Sequence, residues 1–185
     1  MLKADPLGLH AVLEEGPLRL EPLEERHRAE LREACAEDLP IWEMYGISYD
    51  PVHFDASFGN LIANPERLPF AVLVDGELAG MTCWIGTHAE WRTSEIGNTY
   101  LRPRHRGGQV NGPFKRMLMR HGFDCGLKRI FFSVDTRNQR SQAACRKTGA
   151  QLDGVLRNHM ITWTGYERDS AIFSVVERDR EKLGL

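Results

Sequence analysis

The sequence predicts an α+β fold in which helices flank a mixed sheet. First, the dipeptide Asp75-Gly76 lies between two apolar runs, which is the pattern of a tight β-hairpin. Second, residues 93–134 follow the order strand, loop, helix, strand, which predicts a β-α-β unit with parallel strands. Third, residues 151–176 contain further strand-like runs with no helix between them. These observations predict a sheet that is partly parallel and mainly antiparallel.

The elements before the β-α-β unit follow from apolar spacing. Residues 18–21 alternate like a half-buried strand, and a proline then opens a helix over about 23–35. Apolar residues on one helical face predict a second helix within 52–64. The two strands of the hairpin span 69–74 and 78–85.

The predicted β-α-β unit contains a basic, glycine-rich loop. Its strands span 93–101 and 129–134, and the loop spans 102–113. Pro113 fits the first position of the following helix, because its missing N–H would be unpaired there. The residues of that helix that recur at helical spacing are Phe114, Met117, Leu118, His121 and Cys125.

A helix and three strands are predicted after the β-α-β unit. The helix covers about 138–148 and is followed by Gly149, a residue that suits a left-handed cap. The strands cover 151–157, 159–164 and 168–176.

Composition predicts one globular domain over residues 1–185. The net charge is -2 with both signs interspersed, so we expect no nucleic-acid partner. Four scattered cysteines without a CxxC spacing predict reduced thiols in a cytoplasmic protein and no metal site. No run approaches the roughly 18 apolar residues of a membrane span, so no membrane partner is expected.

The central loop has the composition of an anion site. Glycines let the backbone approach a ligand, the start of a helix directs free N–H groups at it, and arginine grips phosphate oxygens. The spacing matches neither the phosphate loop of nucleotide hydrolases nor the glycine pattern of dinucleotide folds. The loop therefore indicates a pyrophosphate, and the alternative is a surface turn beside solvated arginines.

Three motifs carry a resemblance to a known family. They are LRLEPLEERH near the start, an E-I-G strand before the loop, and DTRNQRSQAACRKTGAQLDGVLRNH after it. With them, most of the chain resembles the GNAT acetyltransferases, and more closely their RimJ/RimL-like branch of ribosomal-protein N-terminal acetyltransferases. The resemblance implies a mainly antiparallel sheet of about seven strands, with acetyl-CoA as the cofactor.

The resemblance also implies where acetyl-CoA binds. The family signature [QR]-x-x-G-x-[GA] aligns with residues 104–109, where Gln109 replaces a small residue and adds bulk. The pantetheine arm would meet the end of the E-I-G strand and Asn138, and Ser141 would lie near the thiol. Asn138 as a helix cap and Ser141 as an exposed residue are the structural alternatives. The implied cofactor residues are Tyr100, Leu101, Arg102, Arg104, Arg106, Gly107, Gly108, Gln109, Val110, Asn111, Gly112, Asn138 and Ser141.

Acetyl transfer to an amine needs a base, because only the free amine attacks a thioester. Glu95 is the first candidate, since the family often uses a glutamate in this strand, and His88 and His159 are the reserves. A backbone N–H near Tyr100 would hold the developing negative charge. The family's usual acid is a tyrosine seven residues after the asparagine, where this chain has Cys145. Cys145, Ser141 or water could donate that proton.

The predicted function is acetylation of a primary amine by direct attack, without an acetyl-cysteine intermediate. The preferred acceptor is a protein or peptide N-terminal α-amine, whose pKa of about 8 lies below that of lysine at about 10.4. The alternatives are a small amine, such as an amino acid, a polyamine or a drug, and a non-catalytic acyl-CoA-binding or regulatory protein. Relatives often pair, so the apolar strands near the C-terminus predict a homodimer.

Overall fold

Eight strands form one sheet in the computed structural model, which describes residues 5–107 and 109–185. In chain order they are β1 (Leu13–Glu15), β2 (Leu18–Pro22), β3 (Arg67–Val74), β4 (Glu77–His88), β5 (Thr93–Leu101), β6 (Arg129–Asp135), β7 (Gln151–Ile161) and β8 (Glu167–Val176). Across the sheet the order is β1-β2-β3-β4-β5-β6-β8-β7. Only the β5–β6 pair is parallel within the described residues. The predicted α+β class and mainly antiparallel sheet are confirmed.

Helices cover both faces of the sheet. They are α1 (Arg28–Ala36), α2 (Phe54–Ala63), α3 (Asn111–Asp124), α4 (Gln139–Lys147) and α5 (Arg180–Leu183). One apolar core lies between the sheet and α1 and α2, and a second core lies between the sheet and α3 and α4. The sheet is therefore the middle layer of three. No helix in the described ranges is both long and apolar enough to cross a membrane.

Local turn chemistry sets the hairpin that the sequence predicts. β3 and β4 pair antiparallel, with Asp75 at φ 51° and Gly76 at φ 83° between them. Positive φ at both central residues gives the turn a twist that matches the strands. The parallel β5–β6 pair around α3 is also as predicted.

Four of the predicted elements differ in the structure. A short first strand, β1, raises the count from about seven to eight. β7 is one strand where two were predicted, because Asn158 at φ 47° shifts the register without ending the pairing. A 3-10 turn over Glu25–His27 delays α1 to Arg28. α3 begins at Asn111, so Pro113 is its third residue, still within the first turn, where N–H groups have no helical partner.

Candidate active site

A fork between β5 and β6 opens the sheet at its centre. The two strands pair at only three positions, from Thr93 with Arg129 to Glu95 with Phe131. Both strands then continue, β5 to Leu101 and β6 to Asp135, without further pairing to each other. Glu95 thus lies at the point of the fork, and the space beyond it is a cleft inside the fold.

A bulge in β5 accounts for the separation of the strands. Asn98 and Thr99 together oppose the single residue Thr82 of β4, and Asn98 has φ 49°. A bulge of this kind bends its strand and increases the local twist. The Asn98 side chain is held by a 3.1 Å hydrogen bond that its Nδ2 donates to the Tyr49 hydroxyl.

The end of β5 presents backbone carbonyls to the cleft. The Tyr45 hydroxyl donates a 2.5 Å hydrogen bond to the Thr99 carbonyl, and Arg106 Nε donates one of 2.8 Å to the Leu101 carbonyl. The Arg102 N–H donates to the Ala79 carbonyl on β4, so this N–H points towards β4 and not into the cleft. Leu101 lines the cleft, as does Thr99.

Two of the residues predicted for the pantetheine arm turn their side chains away from it. Tyr100 is fully buried, donates its hydroxyl to the Ala34 carbonyl and stacks on Trp42 at 4.9 Å between ring centres. Arg102 donates from its guanidinium to Glu37 and to the Glu30 carbonyl under α1. Any contact that these two residues make with a cofactor is therefore a backbone contact.

The cleft has a cationic end of about 490 Å³, bordered by the glycine-rich loop, α3 and α4. Among the described residues, no aspartate or glutamate lines it. The small side chains of Ala143 and Ala144 on α4 leave room for an extended ligand. The cations that line it are Arg106, Lys115, Arg116, Arg140 and Lys147. This end suits a molecule that carries several phosphates.

Arg106 and Gly107 form the loop wall of the cationic end. Arg106 pairs with Asp38 through Nη1, and its buried Nη2 has no hydrogen-bond partner in the described chain. Gly107 has φ +97°, and a Cβ there would meet no atom within 4 Å, so its backbone is open to a ligand. An orphaned guanidinium N–H beside an accessible backbone fits a phosphate oxygen.

Other predicted loop residues lie around this wall. Arg104 is exposed and pairs with Glu77, and it does not line the cleft. Gln109 is exposed, so its extra bulk projects towards solvent, while Val110 is buried in the core. Asn111 and Gly112, at the start of α3, line the cationic end. Gly108 lies outside the described residues.

The cleft has a second end of about 350 Å³ that reaches Glu95 and β7. We call it the acceptor end. Both ends share five lining residues, so they form one continuous cleft. The shared residues are Tyr45, Thr99, Lys115, Asn138 and Ser141.

Asn138 and Ser141 lie where the two ends meet. Asn138 Oδ1 caps α4 by accepting a 2.9 Å hydrogen bond from the Ser141 N–H. The capping role is therefore present, and Asn138 also lines the cleft. Cys145 lines only the acceptor end and is 1% exposed, and burial raises the pKa of its thiol. A buried thiol of raised pKa holds its proton tightly.

Glu95 is the only glutamate that lines the described cleft. Its Oε1 accepts a 3.3 Å hydrogen bond from the Ser133 N–H of β6, so the carboxylate bridges the fork. Burial raises the pKa of Glu95, although the Ser133 hydrogen bonds and the charges of Arg168 and Arg67 oppose that rise. A carboxylate whose pKa is moved towards neutrality is a better base at neutral pH.

Two arginines give the acceptor end a positive balance. Arg168 is 6% exposed and donates to the Ser133 carbonyl and the Ser170 hydroxyl, and burial lowers its pKa. Arg67 lines the same wall. Neither has a carboxylate within 4 Å in the described ranges, whereas Asp135 is already paired with Arg137.

The two reserve histidines lie outside the described cleft. His88 stacks on Trp91 at 3.9 Å and accepts the Trp91 N–H at its Nδ1. His159 contacts the Ser170 hydroxyl through Nδ1 at 3.0 Å. Neither residue lines either end, so Glu95 is the better placed candidate.

Several residues of the cleft were not predicted from the sequence. Arg140 and Lys147 lie seven residues apart on α4, a spacing that repeats one helical face and could have been noticed. Lys115 and Tyr45 carry no such signal. Their positions depend on packing between distant parts of the chain.

Similar sequences are found among acetyltransferases. The family profile described as "Acetyltransferase (GNAT) domain" matches residues 17–151. Uncharacterized N-acetyltransferases of Mycobacterium bovis and Mycobacterium tuberculosis are each 26% identical over 100 residues. Those matches cover 54% of this chain and 63% of each relative, so the chain spans less than two thirds of their length.

Solved structures share the fold over nearly the whole chain. A putative acetyltransferase from T. thermophilus has a TM-score of 0.85 and 29% identity, covering 93% of this chain and 92% of that one. Mycobacterium smegmatis RimJ in complex with CoA-disulfide has a TM-score of 0.77 and 21% identity, covering 91% and 87%. RimL, a ribosomal L7/L12 alpha-N-protein acetyltransferase, has a TM-score of 0.79 and 16% identity, covering 90% and 94%. The last two likenesses establish the fold alone.

Proposed function

The chain belongs to the GNAT acetyltransferases, and on that premise we propose that it transfers the acetyl group of acetyl-CoA to a primary amine. The family profile covers residues 17–151, which include the fork, the loop and α4. One observation carries the proposal: a single cleft joins a cationic end to an end that contains Glu95. The first end suits the phosphates of CoA, and the second offers a base to an amine.

The residues present fit CoA. The phosphates would lie against Arg106 and Gly107, with Arg140 and Lys147 opposite them on α4. The pantetheine arm would follow the edge of β5 that is unpaired beyond Glu95, where peptide-like groups can pair with the backbone. Acetyl-CoA would supply the thioester whose acetyl carbon the amine attacks.

Glu95 would accept the proton of the attacking amine, directly or through water. The positive charges of Arg67 and Arg168 also favour the neutral form of an amine bound beside them, because a like charge lowers the pKa of an ammonium group. Both effects raise the fraction of amine that is ready to attack at neutral pH.

The acceptor that we propose is a protein or peptide N-terminal α-amine, as in the RimJ/RimL-like branch. An α-amine has a pKa of about 8 and needs a weaker base than lysine. The acceptor end is bordered by Ile47 and Ile161, which are exposed large apolar side chains. They offer surface to the residues that follow the amine in a peptide.

A small-molecule amine is the second candidate. The acceptor end holds about 350 Å³, which lies near the lower limit of small-molecule sites, roughly 300 to 1,000 Å³. An amino acid would place its carboxylate on Arg67 or Arg168, neither of which has a carboxylate within 4 Å in the described residues. The third alternative is a non-catalytic acyl-CoA-binding or regulatory protein, and it is favoured by Gln109 together with the cysteine at position 145, where the family has a tyrosine.

Acetyl-CoA consumption separates these candidates. The purified chain is given acetyl-CoA with peptides of varied first residue, the same peptides blocked at the α-amine, free amino acids and polyamines. We expect CoA release with the free peptides and none with the blocked ones. Faster release with free amino acids would select the small-molecule function. CoA binding without release for any amine would select the non-catalytic alternative.

We also propose that the chain works in the cytoplasm as a homodimer. Among the described residues, Cys35, Cys125 and Cys145 are free thiols, as is usual in a reducing compartment. The edge strand β7 is exposed along almost its whole length and offers a surface to a second copy.

A further inference from the structure

Lys115 is a buried lysine without an acidic partner among the described residues. It is 5% exposed, it lies in the second turn of α3, and its side chain has no hydrogen bond or ion pair with residues 5–107 or 109–185. Its Nζ lies 5.0 Å from the centre of the Phe132 ring. A buried ammonium without a counter-ion is unfavourable, so such a residue in a cleft wall indicates a role towards a ligand.

The position of Lys115 selects that role. It lines both ends of the cleft, together with Asn138 and Ser141, so it lies at their junction. If CoA phosphates occupy the cationic end and the amine occupies the acceptor end, the reacting thioester is at this junction. Lys115 is then the cation placed beside the bond that breaks.

We propose that the Lys115 ammonium stabilises the departing CoA thiolate. This inference rests on the proposed acetyl transfer. The amine nitrogen bonds to the acetyl carbon, the carbon–sulfur bond breaks, and its electron pair goes to sulfur, which leaves as a thiolate beside Lys115. Glu95 takes one proton from the amine. Solvent in the cleft then removes that proton from Glu95 and gives one to the thiolate.

The two polar neighbours of Lys115 at the junction do not offer a positive charge. Burial raises the pKa of the Cys145 thiol, so Cys145 holds its proton and stays neutral. Ser141 is a neutral alcohol. Burial lowers the pKa of Lys115, so its charge is lost at a lower pH than that of an ordinary lysine.

The other charged and titratable groups near Lys115 are engaged elsewhere or lie away from the junction. Cys145 on α4 is the titratable group that interacts with it electrostatically. Asp135 of β6 is held by Arg137, and Arg168 of β8 hydrogen-bonds to Ser133 and Ser170. The remaining charged or titratable groups of the two ends are Tyr45, Arg67, Glu95, Arg106, Arg116, Arg140 and Lys147.

The first test needs no acceptor amine. The ultraviolet absorbance of bound CoA is followed against pH to find the titration midpoint of its thiol. With the wild-type protein we expect a midpoint roughly 1 to 3 pH units below that of free CoA, because a nearby cation favours the thiolate. Lys115→Met keeps the length of the side chain without its charge and should return the midpoint to that of free CoA. Lys128→Met, which removes a lysine that pairs with Glu177 and lines neither end, should leave the midpoint low.

The second test measures what the charge contributes to turnover. Lys115→Met should lower turnover by roughly 100- to 1,000-fold. Lys115→Arg keeps the charge and should keep most of the turnover. Because a guanidinium stays protonated, this variant should lack the decline at high pH that deprotonation of Lys115 gives the wild type. Thermal unfolding of each variant shows that the fold is kept.

Three outcomes would overturn this inference. One is a bound thiol whose midpoint equals that of free CoA in both wild type and Lys115→Met, even if amines are acetylated. Another is an acetyl group found on Lys115 by mass spectrometry after incubation with acetyl-CoA alone, since it would show a neutral, nucleophilic amine. The third is absence of CoA binding, which would also remove the proposed function. A lowered midpoint that depends on Lys115, without acetylation of any amine, would support this inference and count against the proposed function alone.

Discussion

Glu95 shows how one side chain can have both a structural and a chemical role. Its carboxylate accepts the Ser133 N–H across the fork, where strand pairing has ended. The same burial that brings it into the cleft raises its pKa. A residue that bridges the two strands and lines the acceptor end lies where the proposed transfer needs a base.

Changing Glu95 to Gln should lower turnover at neutral pH by roughly 100- to 10,000-fold, because the amide keeps the size of the side chain but is not basic. Acetyl-CoA affinity should barely change, and the loss should shrink at high pH, where the free amine forms without help. Steady-state kinetics against pH measures this. Glu90→Gln, on the exposed turn before β5, is the matched control. Undiminished turnover would remove Glu95 from the mechanism.

The same variant should be more stable than the wild type at neutral pH. The pKa of Glu95 is higher in the folded chain than in the unfolded chain, so the folded chain binds more protons between the two values. Wild-type stability should therefore fall as the pH rises through that window. Glu95→Gln should lack this part of the pH dependence in denaturant unfolding.

Not every residue of the site could be predicted from the sequence. Glu95, Arg106, Gly107, Asn138 and Ser141 lie in motifs along the chain, and all of them line the described cleft. Lys115 and Tyr45 reach it only through tertiary packing, which no local pattern records. Gln109 departs from the motif, but its exposed side chain leaves the cleft clear.

Among the elements, the loop and α3 could be predicted while the fork could not. Glycines, arginines and a following helix are local features, so they are visible in the sequence. The fork depends on the bulge that sets Asn98 and Thr99 against Thr82, residues that lie far apart along the chain. Pairing between distant strands is not encoded in local propensity.

Replacing Gly107 with Leu should abolish the stabilisation of the fold by acetyl-CoA. Ligand at about 100 times its Kd should stabilise the wild type by about 2.7 kcal/mol in thermal unfolding. A leucine side chain would occupy the open space beside the Gly107 backbone and block phosphate approach. No shift in the wild type at saturating acetyl-CoA would contradict the cofactor assignment.

Gly165→Leu is the control for the cost of backbone strain. Gly165 has φ +82° in the β7–β8 turn, similar to Gly107, but does not line the cleft. Both variants should lose roughly 1 to 3 kcal/mol from their strained backbone. Only Gly165→Leu should retain the acetyl-CoA shift.

At the scale of the whole molecule, β7 is an exposed edge strand of the sheet. It pairs with β8 on one side, and its side chains are exposed at every position except Met160, which is half-buried. Leu152, Val155 and Leu156 are each about half exposed. A long apolar edge strand favours pairing with another chain.

We predict that this edge joins two copies of the chain. Light scattering at micromolar concentration should give twice the mass of the chain. Val155→Lys should give the monomer mass, because a charge on the apolar edge opposes strand pairing. Thr164→Lys, in the turn beyond β7, is a control that should leave the mass unchanged. A monomer mass for the wild type would count against the dimer.

The segment from Asp38 to Gly46 contacts both ends of the cleft, and this links changes at one end to changes at the other. Asp38 binds Arg106 of the phosphate loop, and Tyr45 binds the β5 edge. Glu43 accepts a hydrogen bond from Arg137 before α4, and Trp42 accepts one from Trp163 after β7. Met44 and Gly46 of this segment line the acceptor end, Ile41 lines the cationic end, and Tyr45 lines both. We therefore expect that exchanging this segment to change the proposed acceptor would change binding of the proposed cofactor as well.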